Sequence, residues 1–115
     1  MSGADVPGLE ITGESAADGA FTLHLRGELD LVSAGMLETR IAELCTDGAS
    51  RIVLEMEGLQ FMDSTGLRAL LVSQELCAVN SCRLLVGQLS PQVARLLELS
   101  GLEGRLPRAP DTGRP

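Results

Sequence analysis

The chain has 115 residues, 44% of them hydrophobic, which suits one domain with a packed core and leaves little room for two. Its formal net charge of -7 argues against nucleic acid or an anionic membrane as a direct partner, since both are recognised largely through Lys and Arg. With aromatics at 2% and no Trp or Tyr, there is no stacking platform for single strands, and Leu, Val, Ile, Met and Ala must fill the core.

Residues 1–8 read as a flexible leader, and Leu9 to Thr12 as a short edge strand. The small, polar run Gly13 to Gly19 is a turn. From Phe21 the pattern alternates, with Phe21, Leu23 and Leu25 on one face and Thr22, His24 and Arg26 on the other, which predicts a half-buried strand and a hairpin with its predecessor. After Gly27-Glu28-Leu29-Asp30, Ser33 is placed to cap a helix running to about Cys45, with Leu37, Ile41, Leu44 and Cys45 at helical spacing.

Arg51 to Met56 predicts a central strand reached by a parallel crossover. A second helix is expected from about Ser64 to Asn80, burying Leu67, Leu70, Leu71 and Cys77 or Ala78. Val72, Leu76 and Val79 form a second stripe beside that one, read as wider burial or as an exposed patch for a partner. Arg83 to Val86 is a further buried strand. Ser90-Pro91 starts a third helix with stripe Val93, Leu96 and Leu97, closed by Ser100-Gly101. Leu106 adds a possible strand fragment, and residues 107–115 have no apolar pattern and read as a disordered tail.

Little of this offers chemistry. Cys45, Cys77 and Cys82 are odd in number with no CxxC pair, and no secretory signal or membrane-length apolar run is visible, so the expectation is a cytoplasmic protein with reduced thiols serving as small core residues. His24 is the only histidine and has no companion at ligand spacing, so no metal is expected. No phosphate-cradling glycine loop or general base set is present, and neither a cofactor nor an enzyme activity is expected. The exception is Phe61-Met62-Asp63-Ser64-Thr65-Gly66-Leu67, which displays a hydroxyl where the chain enters a helix. A phosphate there adds about -1.5 to -2 charge. The plain alternative for Asp63 and Ser64 is helix capping.

Three segments together resemble one family: Leu23 to Asp30; Ile52-Val53-Leu54 through Leu67; and Ser90 to Leu96 with Leu99-Ser100-Gly101-Leu102. In this order and spacing they resemble the STAS domain of bacterial anti-sigma factor antagonists. The resemblance implies a single α/β domain over residues 9–106, with a mixed central sheet of about four to five strands and helices packed mainly on one face. It also implies a cycle. The unphosphorylated antagonist binds an anti-sigma factor that is itself a serine kinase and frees a sigma factor; phosphorylation drives it off, and a metal-dependent serine phosphatase restores it. Carried onto this chain, the acceptor is Ser64, with Thr65 the lesser alternative, and Asp30, Ser33, Asp63, Ser64, Thr65 and Gly66 line the partner-binding surface. Gly66 is expected to leave room for a kinase active site. Thr65 stands where many relatives carry serine. Successive helix residues point about 100° apart, so the two hydroxyls cannot both face one active site. A free monomer is expected. The alternative is a STAS subunit or scaffold of a larger sensory or lipid-transport assembly, with Ser64 in a structural role.

Overall fold

The computed structural model describes residues 3–6 and 8–110. Strand β1 (Gly3–Val6) lies within the stretch expected to be a leader and pairs antiparallel with β2 (Leu9–Ser15). That pairing removes β2 from the sheet edge. Strand β2 pairs antiparallel with β3 (Ala20–Leu29), forming the expected hairpin. From there the chain alternates: α1 (Ala34–Thr46), β4 (Arg51–Met62), α2 (Ser64–Val79), β5 (Arg83–Leu89) and α3 (Pro91–Ser100). The sheet order is β1-β2-β3-β4-β5, with β4 parallel to both β3 and β5.

Two successive parallel crossovers stepping the same way across a sheet place their helices on the same face when both are right-handed. Accordingly, Leu37, Ile41 and Leu44 of α1, Leu67 and Leu70 of α2, and Val93 and Leu97 of α3 all join one core with Leu23, Leu25, Ile52 and Leu54 of the sheet. The opposite face carries Thr22, His24 and Arg26 of β3 and Glu55 and Glu57 of β4, none of them buried. His24 there approaches Glu14 at 3.6 Å, consistent with a solvent-side strand residue.

Strand β4 runs six residues beyond the Met56 at which the alternation suggested it would stop. Its pairing with β3 shifts twice: between His24 and Arg26 of β3 the partner advances from Glu55 to Gly58, and between Gly27 and Glu28 from Leu59 to Phe61. Each shift inserts one extra residue into β4, a β-bulge. Inward residues therefore change from every second position (Ile52, Leu54, Met56) to every third (Leu59, Met62). The same offsets turn Phe61 outward, leaving it 48% exposed. On β3 the second irregularity falls at Gly27, whose φ of +104° and close approach to the Gly8 carbonyl suit only glycine.

Ordered pairing also continues into the stretch expected to be a tail. Leu106 is buried, and the Val86 amide donates to the Pro107 carbonyl at 2.8 Å while the Ala109 amide donates to the Val86 carbonyl at 2.7 Å. This parallel bridge at Arg108 extends ordered backbone pairing past β5, and Arg108 Nη2 donates to the Gly87 carbonyl at 3.1 Å. Residues 111–115 lie outside those described, as do Met1, Ser2 and Pro7.

Candidate functional site

Because β3 and β4 are parallel, the turns leading into α1 and α2 emerge side by side at one end of the sheet. This is where open α/β folds place their binding surfaces. Leu29 pairs with Met62, the last residues of the two strands, and the Asp63 amide donates to the Leu29 carbonyl at 3.4 Å. Asp30 and Asp63 therefore stand at equivalent points of two adjacent turns.

Asp63 is the N-cap of α2. Its backbone is extended, and its Oδ1 accepts the Gly66 amide at 2.9 Å, satisfying one of the N–H groups that a helix start leaves unpaired. Ser64 follows as the first helical residue and is exposed, whereas Thr65 is only partly so. Gly66 is buried. A Cβ there would drive into the Leu29 carbonyl oxygen and lie 2.8 Å from the Met62 Cγ. Its glycine identity thus serves close packing of α2 against the end of β3.

Ser33 is not the helix cap that the sequence suggested. It precedes α1, yet its side chain makes no capping bond and it is fully buried. Its Oγ donates to the Glu28 carbonyl at 2.8 Å and accepts the Asp30 amide at 3.0 Å. The capping is done by Asp30, whose Oδ1 accepts the Val32 amide at 3.1 Å and the Ser33 amide at 3.3 Å, while its carbonyl accepts the Ala34 amide at 2.8 Å. Asp30 and Ser33 form one closed hydrogen-bonded turn. With Asp30 partly buried and Ser33 sealed, the turn presents outward the two residues between them.

Those residues were missed from sequence. Leu31 is 76% exposed and Val32 71%, and Phe61 lies one residue before the end of β4, at the adjacent turn. An apolar pair at the tip of a tightly bonded turn is unusual enough to have been a signal. In the stripe of Val72, Leu76 and Val79, by contrast, Val72 and Leu76 are half-buried and Val79 is exposed. The site thus combines a free hydroxyl, two cap carboxylates and three exposed apolar side chains at the amino end of a helix, where N–H groups and the positive dipole end tolerate added negative charge. Such a surface can hold a protein partner and can carry a phosphate on Ser64.

At the opposite end of the helices, Cys45, Cys77 and Cys82 come together, with all three Sγ atoms within 4.8 Å of one another. They are free thiols, two buried and Cys45 partly exposed. Burial raises the Cys77 and Cys82 thiols, Cys77 strongly, which favours the protonated form. Spacing gave no hint of this convergence.

Comparison with known proteins places these features in a family. A family model described as the STAS domain matches residues 15–112. The chain is 35% identical over 85 residues to the anti-sigma F factor antagonist of Paenibacillus polymyxa, covering 73% of each chain. Among solved structures, it is similar to an anti-sigma factor antagonist from Mycobacterium paratuberculosis, with 26% identity and a TM-score of 0.77 over 90% of this chain and 87% of that one. It is also similar to the anti-sigma factor antagonist SpoIIAA in its unphosphorylated form, with 25% identity and a TM-score of 0.72 over 88% and 89%.

Proposed function

The chain belongs to the STAS-domain family of anti-sigma factor antagonists, and from that premise we propose that it is a partner switch controlled by phosphorylation of Ser64. Unmodified, it docks on an anti-sigma factor with serine kinase activity through the turn at Asp30–Val32, the end of β4 and the start of α2, and a sigma factor is released. The kinase transfers a phosphoryl group from ATP to the Ser64 hydroxyl, and the modified chain leaves. A metal-dependent serine phosphatase removes the phosphate and resets the cycle. The chain is the substrate in both reactions and contributes no catalysis of its own.

One observation carries this reading: Ser64 is exposed at the first position of α2, at the same end of the sheet as the exposed apolar side chains Leu31, Val32 and Phe61. Exposure favours Ser64 over the partly buried Thr65 as acceptor. A phosphate of about -1.5 to -2 charge sits comfortably on a helix start in the free protein. In a complex it would be stripped of water beside apolar side chains and next to the Asp63 carboxylate. A difference of only ~1.4 kcal/mol changes affinity tenfold, so a modest desolvation and repulsion cost is enough for a switch. Asp30, Asp63 and Thr65 belong to the docking surface, and Ser33 and Gly66 support it from beneath.

The test is incubation of the purified chain with ATP and candidate anti-sigma kinases, followed by intact-mass analysis and peptide mapping. One phosphate on Ser64 is expected. A chain unmodified by every such kinase, or modified only at Thr65, would overturn the assignment and return the scaffold reading to favour.

A further inference from the structure

Cys45 lies in the last turn of α1, Cys77 in the last turn of α2, and Cys82 just before β5. Their convergence is built by the chain reversal after α2. Ser81 takes a left-handed backbone conformation with φ +58°, and the Cys82 amide donates to the Cys77 carbonyl at 2.8 Å, folding Cys82 back over Cys77. Ser64 opens α2 and Cys77 lies in its last turn, and a 16-residue helix is about 24 Å long at 1.5 Å per residue, so the thiols lie at the far end of the helices from Ser64.

We propose that Cys45, Cys77 and Cys82 form a three-sulfur site for a soft monovalent cation of the Cu(I) class. The donors select the ion. Thiols favour soft metals, and the cluster, among the described residues, supplies three ligands where structural zinc takes four. The spacing fits: three sulfurs held in a plane about 2.3 Å from one ion, the length of a zinc–thiolate bond, stand about 4 Å apart. Cys45 Sγ and Cys77 Sγ are 3.9 Å apart, and no pair exceeds 4.8 Å. Each sulfur that binds the ion must release its proton to solvent, and the ion's positive charge offsets part of the thiolate charge that would otherwise be costly in an apolar interior. The partly exposed Cys45 gives the ion a way in. Once bound, the ion ties α1, α2 and the start of β5 together and stabilises the native state by mass action, since the unfolded chain has no preformed site.

The experiment titrates the reduced full-length chain with Cu(I) in oxygen-free buffer containing a competing Cu(I) chelator, with X-ray absorption to count sulfur neighbours and thermal melts alongside. The expected result is one ion per chain, three sulfurs at about 2.3 Å, and a raised Tm. Cys45→Ser, on the partly exposed thiol and so the variant least disruptive to folding, and Cys82→Ser, checked for fold by circular dichroism, should each bind about 100-fold more weakly or worse, at the upper end of losses seen for outer-shell partners. Failure to retain copper against the chelator would overturn the proposal. So would retention unchanged in both variants, four-coordinate Zn(II) binding in preference to Cu(I), or consumption of thiols in pairs as a Cys45–Cys77 disulfide with no metal retained.

Discussion

Gly66 packs its α-carbon against the carbonyl oxygen of Leu29, so the first turn of α2 rests directly on the end of β3. This contact sets the height of Ser64 relative to the Asp30–Ser33 turn. The glycine of the motif is therefore a packing element: a side chain there would collide with Leu29 and Met62.

Gly66→Ala should lower stability by about 1–3 kcal/mol, the usual cost of forcing a methyl into a filled site. Chemical denaturation would measure it. Gly35→Ala is the matched control: a Cβ there meets nothing within 4 Å on helix α1, and the change should stabilise by about 0.5–1 kcal/mol. Equal effects of the two changes would refute the packing role.

Ser33→Ala removes the hydroxyl that serves both the Glu28 carbonyl and the Asp30 amide. Leaving such groups unpaired in a sealed turn should cost about 1–3 kcal/mol. The loss should appear in hydrogen exchange as faster opening of the Asp30 to Ala34 amides, with the far ends of the helices unchanged.

A double change of Leu31→Ala and Val32→Ala is expected to leave stability within about 0.5 kcal/mol, as both side chains are largely in solvent. Affinity for the anti-sigma partner should nevertheless fall by more than about 1 kcal/mol, read by calorimetry. Full-strength binding by the double variant would remove this turn from the docking surface.

Ser64→Ala should bind the kinase and stay bound, whereas Ser64→Asp should bind at least about tenfold more weakly, a difference of ~1.4 kcal/mol. Their thermal stabilities should be similar, since an anion at a helix start is tolerated. Indistinguishable affinities would sink the switch.

The chain contains neither Lys nor Tyr, so above neutral pH its titrating side chains are the three thiols. Cys77 is raised above the ordinary thiol value of 9.0 by burial first, then by its neighbours Cys82 and Cys45. The unfolded chain therefore loses this proton near pH 9 while the folded chain keeps it. The contribution is whole below pH 9 and shrinks as pH rises beyond it, because the unfolded state then binds fewer protons. Denaturation midpoints measured from pH 7 to 11 should fall in that upper range, and the fall should be smaller in Cys77→Ala.

Local periodicity made most of the elements legible, because burial of one face repeats at 2.0 or 3.6 residues whatever the rest of the chain does. The β2–β3 hairpin, the three helices and the Ser90-Pro91 helix start were read this way, and Asp63-Ser64-Thr65-Gly66 was visible as a motif. Where the period itself changed, reading failed. The two bulges of β4 convert spacing two into spacing three, so the strand was read only as far as Met56, short of Leu59 and Met62. Strand β1 and the Val86–Arg108 bridge were invisible because edge pairing uses backbone groups that every sequence carries.

What the sequence alone determined was the order of elements from β2 to α3, the exposed hydroxyl at a helix start and, through three spaced segments, the family. Tertiary structure alone decided which side chains face outward there. Ser33 and Gly66 go under the surface and Leu31, Val32 and Phe61 come onto it, because burial depends on the neighbouring strand and turn as well as on residue type. It alone also brought Cys45, Cys77 and Cys82 together, since contacts between residues 32 apart in the chain are set by how two helices and a strand pack, and spacing carries no trace of that.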